Sequence, residues 1–154
     1  MNTVYLLLKF LHIAAAIVWI GGTFTLAVLN ARVGRTGDAA AIAALGRQSE
    51  FFGRVAIGPA MAVILIAGLV MVAQGRISFG SVWIIWGLAG VLVSGAISGA
   101  GIGRAAAALA ELRSNAGPDD PRVIALQGRL MTLNVINLIV LLSVVWAMVF
   151  KPTL

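Results

Sequence analysis

Residues 8–24 read LKFLHIAAAIVWIGGTF and lie within an apolar run that extends over Thr3–Leu29. About 20 apolar residues in a helix are enough to cross a hydrocarbon core about 30 Å thick, and this run is longer. The backbone of a segment in lipid must hydrogen-bond to itself, so the run is predicted to be a transmembrane helix. It nevertheless carries a lysine, Lys9, and the only histidine of the sequence, His12.

The composition of the whole chain agrees with a membrane protein. Of its 154 residues, 61% are hydrophobic and 10% are charged, and the mean hydropathy is +1.06. Soluble domains average about 45–50% apolar and about 25% charged residues. Three further apolar runs, at about 55–73, 82–103 and 130–150, are each long enough to cross a bilayer. We therefore predict an all-α, four-helix transmembrane bundle that forms a single integral membrane domain over residues 1–154.

The amino terminus is predicted to be a retained span and not a cleaved signal peptide. Residues 1–8 carry no basic side chain, and the first apolar run continues well past Ala16. A signal peptide has a basic start and an apolar stretch of only about 7–15 residues. The sequence has no cysteine, which excludes disulfides and thiolate metal sites.

Basic residues set the predicted orientation. Segments 30–54 and 104–129 each hold four arginines, whereas the short link 74–81 holds only Arg76. Cytoplasmic loops of membrane proteins are enriched in Lys and Arg, so the two longer segments are predicted to be cytoplasmic. Both termini are then on the outer, periplasmic side of a bacterial cytoplasmic membrane. The net charge of +6 is explained by orientation and by contact with anionic lipid head groups, without a nucleic-acid partner.

The two longer loops are not expected to be plain coil. Ala39–Phe52 and Arg104–Leu112 are alanine-rich with charges at helical spacing, so they are predicted to extend the helices or to lie on the membrane surface. The stretch NAGPDDPR, Asn115–Arg122, combines Gly, two Pro and two Asp and is predicted to interrupt the helices. Pro59, near the start of the second span, is predicted to bend it.

The first span carries most of its polar and aromatic groups on one side. They recur at alternating steps of four and three residues, which is the spacing of a single helical stripe. The stripe consists of Tyr5, Lys9, His12, Ala16, Trp19 and Thr23. We predict that it faces the bundle interior. Ionisable groups inside a span are costly and usually mark function, and a neutral imidazole can bind a metal or haem iron.

Other interpretations of the stripe remain open. His12 can instead hydrogen-bond a neighbouring carbonyl or handle protons, Lys9 can anchor the helix at the interface, and Trp19 can be a packing residue. A copper site usually needs several His, Met or Cys ligands, and the sequence has one His and no Cys. Haem needs only one or two axial ligands. His12 can supply one, and the same residue of a second copy can supply another.

The third span carries a ridge of small residues. Gly95, Gly99 and Gly103 recur every four residues, with Ser94 and Ser98 beside them, so another helix can approach closely. This glycine ridge is predicted to be a packing surface, within the chain or in a homo-oligomer or larger membrane complex. Its flat surface can alternatively accept a porphyrin face.

The fourth span contains two polar residues, Asn134 and Asn137. They lie three residues apart and therefore on one face of a helix. Interhelical hydrogen bonding is their predicted role. Their depth in the inner leaflet does not favour direct contact with His12.

Three stretches carry a resemblance to a known superfamily. LKFLHIAAAIVWIGGTF resembles the first helix of the small four-helix bacterial protoporphyrinogen oxidases (HemJ-like) and the opening of copper-resistance CopD-like membrane domains. RVAIGPAMAVILIAGLVMV, at 54–72, and the ending VFKPTL, at 149–154, are similar to parts of the oxidases. The resemblance implies haem b held by the first-helix histidine, which corresponds to His12. The oxidases also use a lysine in the third helix, and segment 82–103 has none.

The function predicted from these features is a haem-b-binding membrane redox protein, related to protoporphyrinogen oxidation or electron transfer. His12 is the predicted axial ligand, and Lys9 is predicted to steady a propionate or substrate carboxylate. Trp19, Gly95 and Gly99 are predicted to shape the pocket. Two alternatives are a copper or small-solute transport protein and a cofactor-free accessory or assembly subunit that works through its glycine ridge.

Overall fold

The computed structural model describes residues 3–117 and 119–153 of the chain. Six α-helices make up most of this part: α1 (Thr3–Gly34), α2 (Ala39–Phe52), α3 (Gly58–Gln74), α4 (Val82–Ala96), α5 (Arg104–Asn115) and α6 (Pro121–Phe150). Two short π-helical segments, Gly53–Ile57 and Ile97–Gly103, join α2 to α3 and α4 to α5 without a break.

Four continuous helices result, spans 1 to 4, and each is long and apolar enough to cross a membrane. They are Thr3–Gly34, Ala40–Gln74, Val82–Asn115 and Pro121–Phe150. This confirms the predicted all-α fold with four membrane-spanning helices.

The spans are longer than the apolar runs of the sequence. They contain 30 to 35 residues, which is about 45–52 Å at 1.5 Å per residue, against a hydrocarbon core of about 30 Å. In spans 2 and 3 the extra length comes from the alanine-rich segments, whose high helix propensity lets the helix continue. Ala39–Phe52 and Arg104–Leu112 therefore extend spans 2 and 3, as one of the two predicted alternatives states.

The helices are interrupted next to residues that favour turns and helix caps. Asp38 caps α2, its carboxylate accepting from the backbone N–H of Ala40 at 2.9 Å and of Ala41 at 3.1 Å. Asp120 caps α6 by accepting from the N–H of Arg122 at 2.8 Å, with Pro121 in the first turn. The predicted break within Asn115–Arg122 is thus confirmed.

A π-helical turn comes directly before Pro59. The backbone N–H of Gly58 donates to the carbonyl of Gly53, five residues earlier. Proline has no N–H to donate, and in a regular α-helix its ring clashes with the carbonyl four residues before it. The wider π turn accommodates this conflict without ending the helix.

The bundle is assembled from two close pairs of spans, since α1 packs chiefly on α3 and α4 packs chiefly on α6, while α1 also contacts α6. All four meet in a central cluster of buried residues: Ala15, Trp19, Ala60, Ile64, Val91 and Leu141. Gly87 and Gly90 let α4 approach α6, because a Cβ at either position would collide with Met148 or Val144.

The outward surface is strongly apolar. Ile17 is 68% exposed and Leu92 is 70% exposed, and many other large apolar side chains also face outward. A soluble monomer rarely exposes so large an apolar surface, so this surface is the one that contacts lipid. The bundle has two ends. The terminal end contains the start of α1, the link 75–81 and the end of α6, and the loop end contains the connections from α1 to α2 and from α5 to α6.

Candidate functional site: the His12 seam between α1 and α3

The structure places most of the predicted stripe of α1 toward the interior. Trp19 is 3% exposed and Thr23 is 8% exposed, while His12 is half-buried and Lys9 is exposed. The interior row passes through His12, Ala15 and Trp19, so Lys9 lies to one side of it. Lys9 is about 4.5 Å nearer the terminal end than His12 at 1.5 Å rise per residue.

His12 forms a polar contact across the seam between α1 and α3. Its ring Nδ1 lies 3.0 Å from the backbone carbonyl oxygen of Ile64. A carbonyl oxygen can only accept, so Nδ1 must carry the proton that it donates. In a neutral imidazole the other nitrogen, Nε2, then has the free lone pair. This is the tautomer that a histidine needs to bind a metal through Nε2.

Gly68 leaves room for the His12 ring to reach the Ile64 carbonyl. It follows Ile64 by four residues, the spacing at which a side chain would crowd the Ile64 carbonyl in a helix. A Cβ at position 68 would lie 3.2 Å from Cε1 and 3.4 Å from Nδ1 of the His12 ring. The ring therefore packs directly on the backbone of α3, in a space that a larger residue would reduce.

Ile64 links the histidine to the core. Its carbonyl accepts the bond from His12, and its side chain packs with Trp19 and Ala15 in the central cluster. The sequence reasoning missed Ile64 and gave no role to Gly68. Ile64 could have been identified by comparing depths along two antiparallel helices. It lies about 15 Å from the end of α3, and His12 lies about 14 Å from the start of α1, at the same end of the bundle.

The structure does not bring the glycine ridge to the depth of His12. Gly95 and Gly99 lie about 20 and 25 Å from the start of α4, by their position in the helix. Gly95 faces the interior, since a Cβ built on it would lie 3.8 Å from the Met61 sulfur. A Cβ built on Gly99 would meet nothing within 4 Å. Trp19 is on the same helix as His12 but is two turns deeper, in the central cluster.

A second polar contact joins α4 to α6. Asn137 is fully buried; its Oδ1 accepts from the hydroxyl of Ser94 at 2.6 Å, and its Nδ2 donates to Ser98 Oγ at 3.2 Å. This confirms interhelical bonding for Asn137. Asn134 instead donates to the Leu130 carbonyl of its own helix at 2.8 Å. The serines beside the glycine ridge are therefore partners of α6.

The donor set at His12 suits a group that needs a single protein ligand. Among the described residues, no three His, Cys, Asp or Glu side chains come together in a way that could hold a metal ion. Haem iron requires only one or two axial ligands. Neither the groove between α4 and α6 nor the hollow beside the link 75–81 is lined by His12, so a macrocycle at His12 would lie on the half-exposed surface of α1 and α3.

Four helices long enough to cross a membrane and an apolar outward surface define an α-helical, multi-pass integral membrane protein. The chain belongs to the DUF2269 family, described as a predicted integral membrane protein, whose family model matches residues 6–152. The match includes most of each of the four spans. Neither a curated protein nor a solved structure matches the chain significantly.

Proposed function

We propose that this protein binds haem b in the membrane and transfers electrons, with Nε2 of His12 as an axial ligand of the iron. The observation that carries the proposal is the hydrogen bond from Nδ1 of His12 to the Ile64 carbonyl at 3.0 Å. Histidines that ligate metals almost always donate their other N–H to a carbonyl, carboxylate or water, which fixes the tautomer and raises ligand basicity. The resemblance of residues 8–24 to the HemJ-like oxidases supports the same role.

The proposed haem lies at the surface of the seam between α1 and α3. His12 is half-buried there, with part of its surface accessible from outside the chain. Lys9, one turn toward the terminal end and exposed, can reach a propionate, while Trp19 supports the seam from the core. Gly95 faces the Met61 side chain and Gly99 lies still deeper along its span, so neither is assigned a contact with the haem in this proposal.

Bound haem would supply one-electron redox chemistry at iron. The residues of the chain have separate tasks. The Ile64 carbonyl holds the imidazole and makes it a stronger donor, and Gly68 leaves the space for that contact. The proposal comprises haem binding and electron transfer.

The haem content of purified protein tests this proposal. The protein is expressed with ample haem, purified in detergent and assayed for porphyrin per chain. We expect haem to copurify with the wild type and to be lost in His12→Ala. Phe10→Ala is the matched control, because Phe10 lies two residues away on the same helix and is 65% exposed. Haem-free wild-type protein, or equal haem in His12→Ala, contradicts the proposal.

A second candidate is an accessory subunit that uses the glycine ridge to bind another copy or a larger membrane complex. The observation that favours it is that Gly99 is exposed and that a Cβ on it would meet no atom within 4 Å. Among the described residues, no other helix packs on the ridge at Gly99. The assay is the oligomeric state in detergent: Gly99→Leu should disrupt an assembly that His12→Ala leaves intact. The reverse pattern, or a wild type that is monomeric under mild extraction, contradicts this candidate.

We also propose that the chain lies in a bacterial cytoplasmic membrane with its terminal end outside. The four arginines in each long segment support this orientation. Because the sequence has no cysteine, a single introduced cysteine is the only thiol that a reagent can label. A membrane-impermeant thiol reagent applied to intact cells should label Ser78→Cys at the terminal end and should not label Ser114→Cys at the loop end. Labelling of Ser114→Cys alone would invert the orientation.

A further inference from the structure

An apolar groove of about 480 Å³ lies between α4 and α6 in the terminal half of the bundle. It extends along α4 from Val82 to Val93, and Val140 and Ser143 of α6 form its other side. Eleven residues of helix cover about 16 Å, about half of a hydrocarbon core of about 30 Å. The groove therefore has the depth of one leaflet. Its volume is within the range of about 300–1,000 Å³ that is usual for ligand sites.

One wall of the groove is held in place by a hydrogen bond. The indole Nε1–H of Trp86 donates to the hydroxyl oxygen of Ser143 at 3.2 Å, across α4 and α6. The Ser143 hydroxyl in turn donates to the Val140 carbonyl at 2.7 Å. The indole is thus fixed against α6 although half of it is exposed. Gly90, which also lines the groove, brings the two helices together beneath it.

A second hollow of about 280 Å³, lined by both polar and apolar groups, adjoins the groove at the terminal end. Val82 lines both spaces, so the hollow continues the groove toward the membrane surface. Its walls include the hydroxyl-bearing residues Ser78, Ser81 and Thr153, together with the ring of Trp83. The combined space has an apolar part at the depth of acyl chains and a polar part at the depth of lipid head groups.

The charge at this end is entirely positive among side chains. The ammonium of Lys151 lies 5.3 Å from the centroid of the Trp83 ring, which forms part of the hollow. Arg76 is exposed in the link 75–81. All five carboxylate side chains of the sequence belong to the loop end: Asp38, Glu50, Glu111, Asp119 and Asp120. The hollow is therefore complementary to an anion.

We propose that the groove and the hollow together bind one anionic phospholipid. An acyl chain occupies the groove between α4 and α6, against the fixed indole of Trp86. The phosphate lies in the hollow, within reach of the hydroxyls of Ser78 and Ser81 and of the Lys151 ammonium. Both parts are needed, because the groove alone would accept any acyl chain and the hollow alone would be a weak, solvated anion site. This inference does not depend on haem binding.

Native mass spectrometry of the full-length protein with added lipid tests the proposal. The probes are dioleoylphosphatidylglycerol and dioleoylphosphatidylcholine, which have the same chains and differ in head-group charge. We expect the first phosphatidylglycerol to bind more tightly than phosphatidylcholine. Lys151→Gln should reduce the phosphatidylglycerol affinity about fivefold, the effect of one cation near an anionic lipid surface. Lys151→Arg should retain it.

A second pair of variants tests the acyl chain. Ala89 lines the groove, so Ala89→Phe should fill it and weaken both lipids severalfold. Leu92→Phe adds a ring to the same helix at a side chain that is 70% exposed and does not line the groove, so it should change neither affinity. Thermal unfolding of both variants, which should give a cooperative transition as in the wild type, checks that they are folded.

Three results would overturn the proposal. One is equal affinity for the two lipids in the wild type. Another is an equal loss of phosphatidylglycerol binding in Arg35→Gln, which removes a positive charge from the loop end. The third is unchanged binding in a folded Ala89→Phe protein. Each result would show that lipid covers this surface without a specific site.

Discussion

The imidazole of His12 donates from Nδ1 to the backbone carbonyl of Ile64 at 3.0 Å, across the seam between α1 and α3. The bond satisfies one nitrogen of a half-buried imidazole that lies between two packed spans. It leaves Nε2 as the nitrogen with a lone pair. The same hydrogen bond is therefore compatible with a purely structural histidine and with a metal-binding histidine. The two roles differ only in what Nε2 binds.

Gly68→Ala is predicted to disturb this contact. The added methyl would lie 3.2 Å from the His12 ring, so the ring must move by a few tenths of an ångström and the Nδ1 bond must lengthen. Because the chain has one histidine, nitrogen-15 NMR of labelled protein reports a single imidazole. The wild type should show the Nδ1–H tautomer alone, and Gly68→Ala should show a mixture with the Nε2–H tautomer.

Gly21→Ala is the control for that experiment, since a Cβ on Gly21 would meet nothing within 4 Å and it lies on the same helix as His12. Its imidazole spectrum should match the wild type. A wild-type imidazole protonated at Nε2 would contradict the assigned hydrogen bond.

Gly90→Ala is predicted to destabilise the bundle. A Cβ on Gly90 would collide with Cγ2 of Val144, and valine has few alternative rotamers in a helix. Overpacking of this kind costs about 1–3 kcal/mol, which exceeds the gain of about 1 kcal/mol in helix propensity. Gly99→Ala has open space around it and should leave the midpoint of thermal unfolding unchanged or higher. Equal midpoints for the two variants would rule out the close approach of α4 to α6 at Gly90.

Asn137→Ala is predicted to weaken the contact between α4 and α6. It removes the acceptor of the buried Ser94 hydroxyl and the donor to Ser98. Polar contacts between membrane helices are worth up to about 1.7 kcal/mol, so we expect a loss of about 1–2 kcal/mol in the free energy of unfolding. Asn134→Ala loses only a bond within its own helix and should cost much less. The comparison requires unfolding curves in one detergent, and a larger loss for Asn134→Ala would reverse our assignment.

The cap of α6 is predicted to depend on pH. Side-chain hydrogen bonds from Arg122, followed by its backbone N–H, hold the pKa of Asp120 below its ordinary value. The stabilisation from the ionised cap is therefore present above a pH of about 3.9, the ordinary aspartate value, and is lost as the pH falls through the lower folded-state pKa. Asp120→Ala should lower the unfolding midpoint at pH 7, and the difference from wild type should shrink in strong acid.

Asp119→Ala removes the same charge from the same turn but leaves the bonds of Asp120 to Arg122 in place. Its unfolding midpoint should differ from wild type by less than that of Asp120→Ala at pH 7. A gap between Asp120→Ala and wild type that stays constant down to pH 2 would show that the ionised cap contributes nothing.

The four spans could be predicted because each apolar run needs a helix to satisfy its backbone in lipid. The interior position of Trp19 followed from the helical period. For Lys9 the sequence left two positions open, the interior stripe and the membrane interface, and Lys9 is exposed beside the buried row. The glycines that bring α4 to α6 were also not predicted. The four-residue repeat drew attention to Gly95, Gly99 and Gly103, whereas Gly87 and Gly90 form the close contact, which depends on how α4 is rotated toward its neighbour.

The most direct test of the central claim is the resonance Raman spectrum of the ferrous protein, recorded after expression with ample haem. An iron–imidazole stretching band that shifts on nitrogen-15 labelling of histidine would identify His12 as the ligand, because the sequence contains no other histidine. We predict this band in the wild type and its loss, with the Soret absorption, in His12→Ala. A colourless wild-type protein, or a His12→Ala protein with an unchanged haem spectrum, would contradict the account.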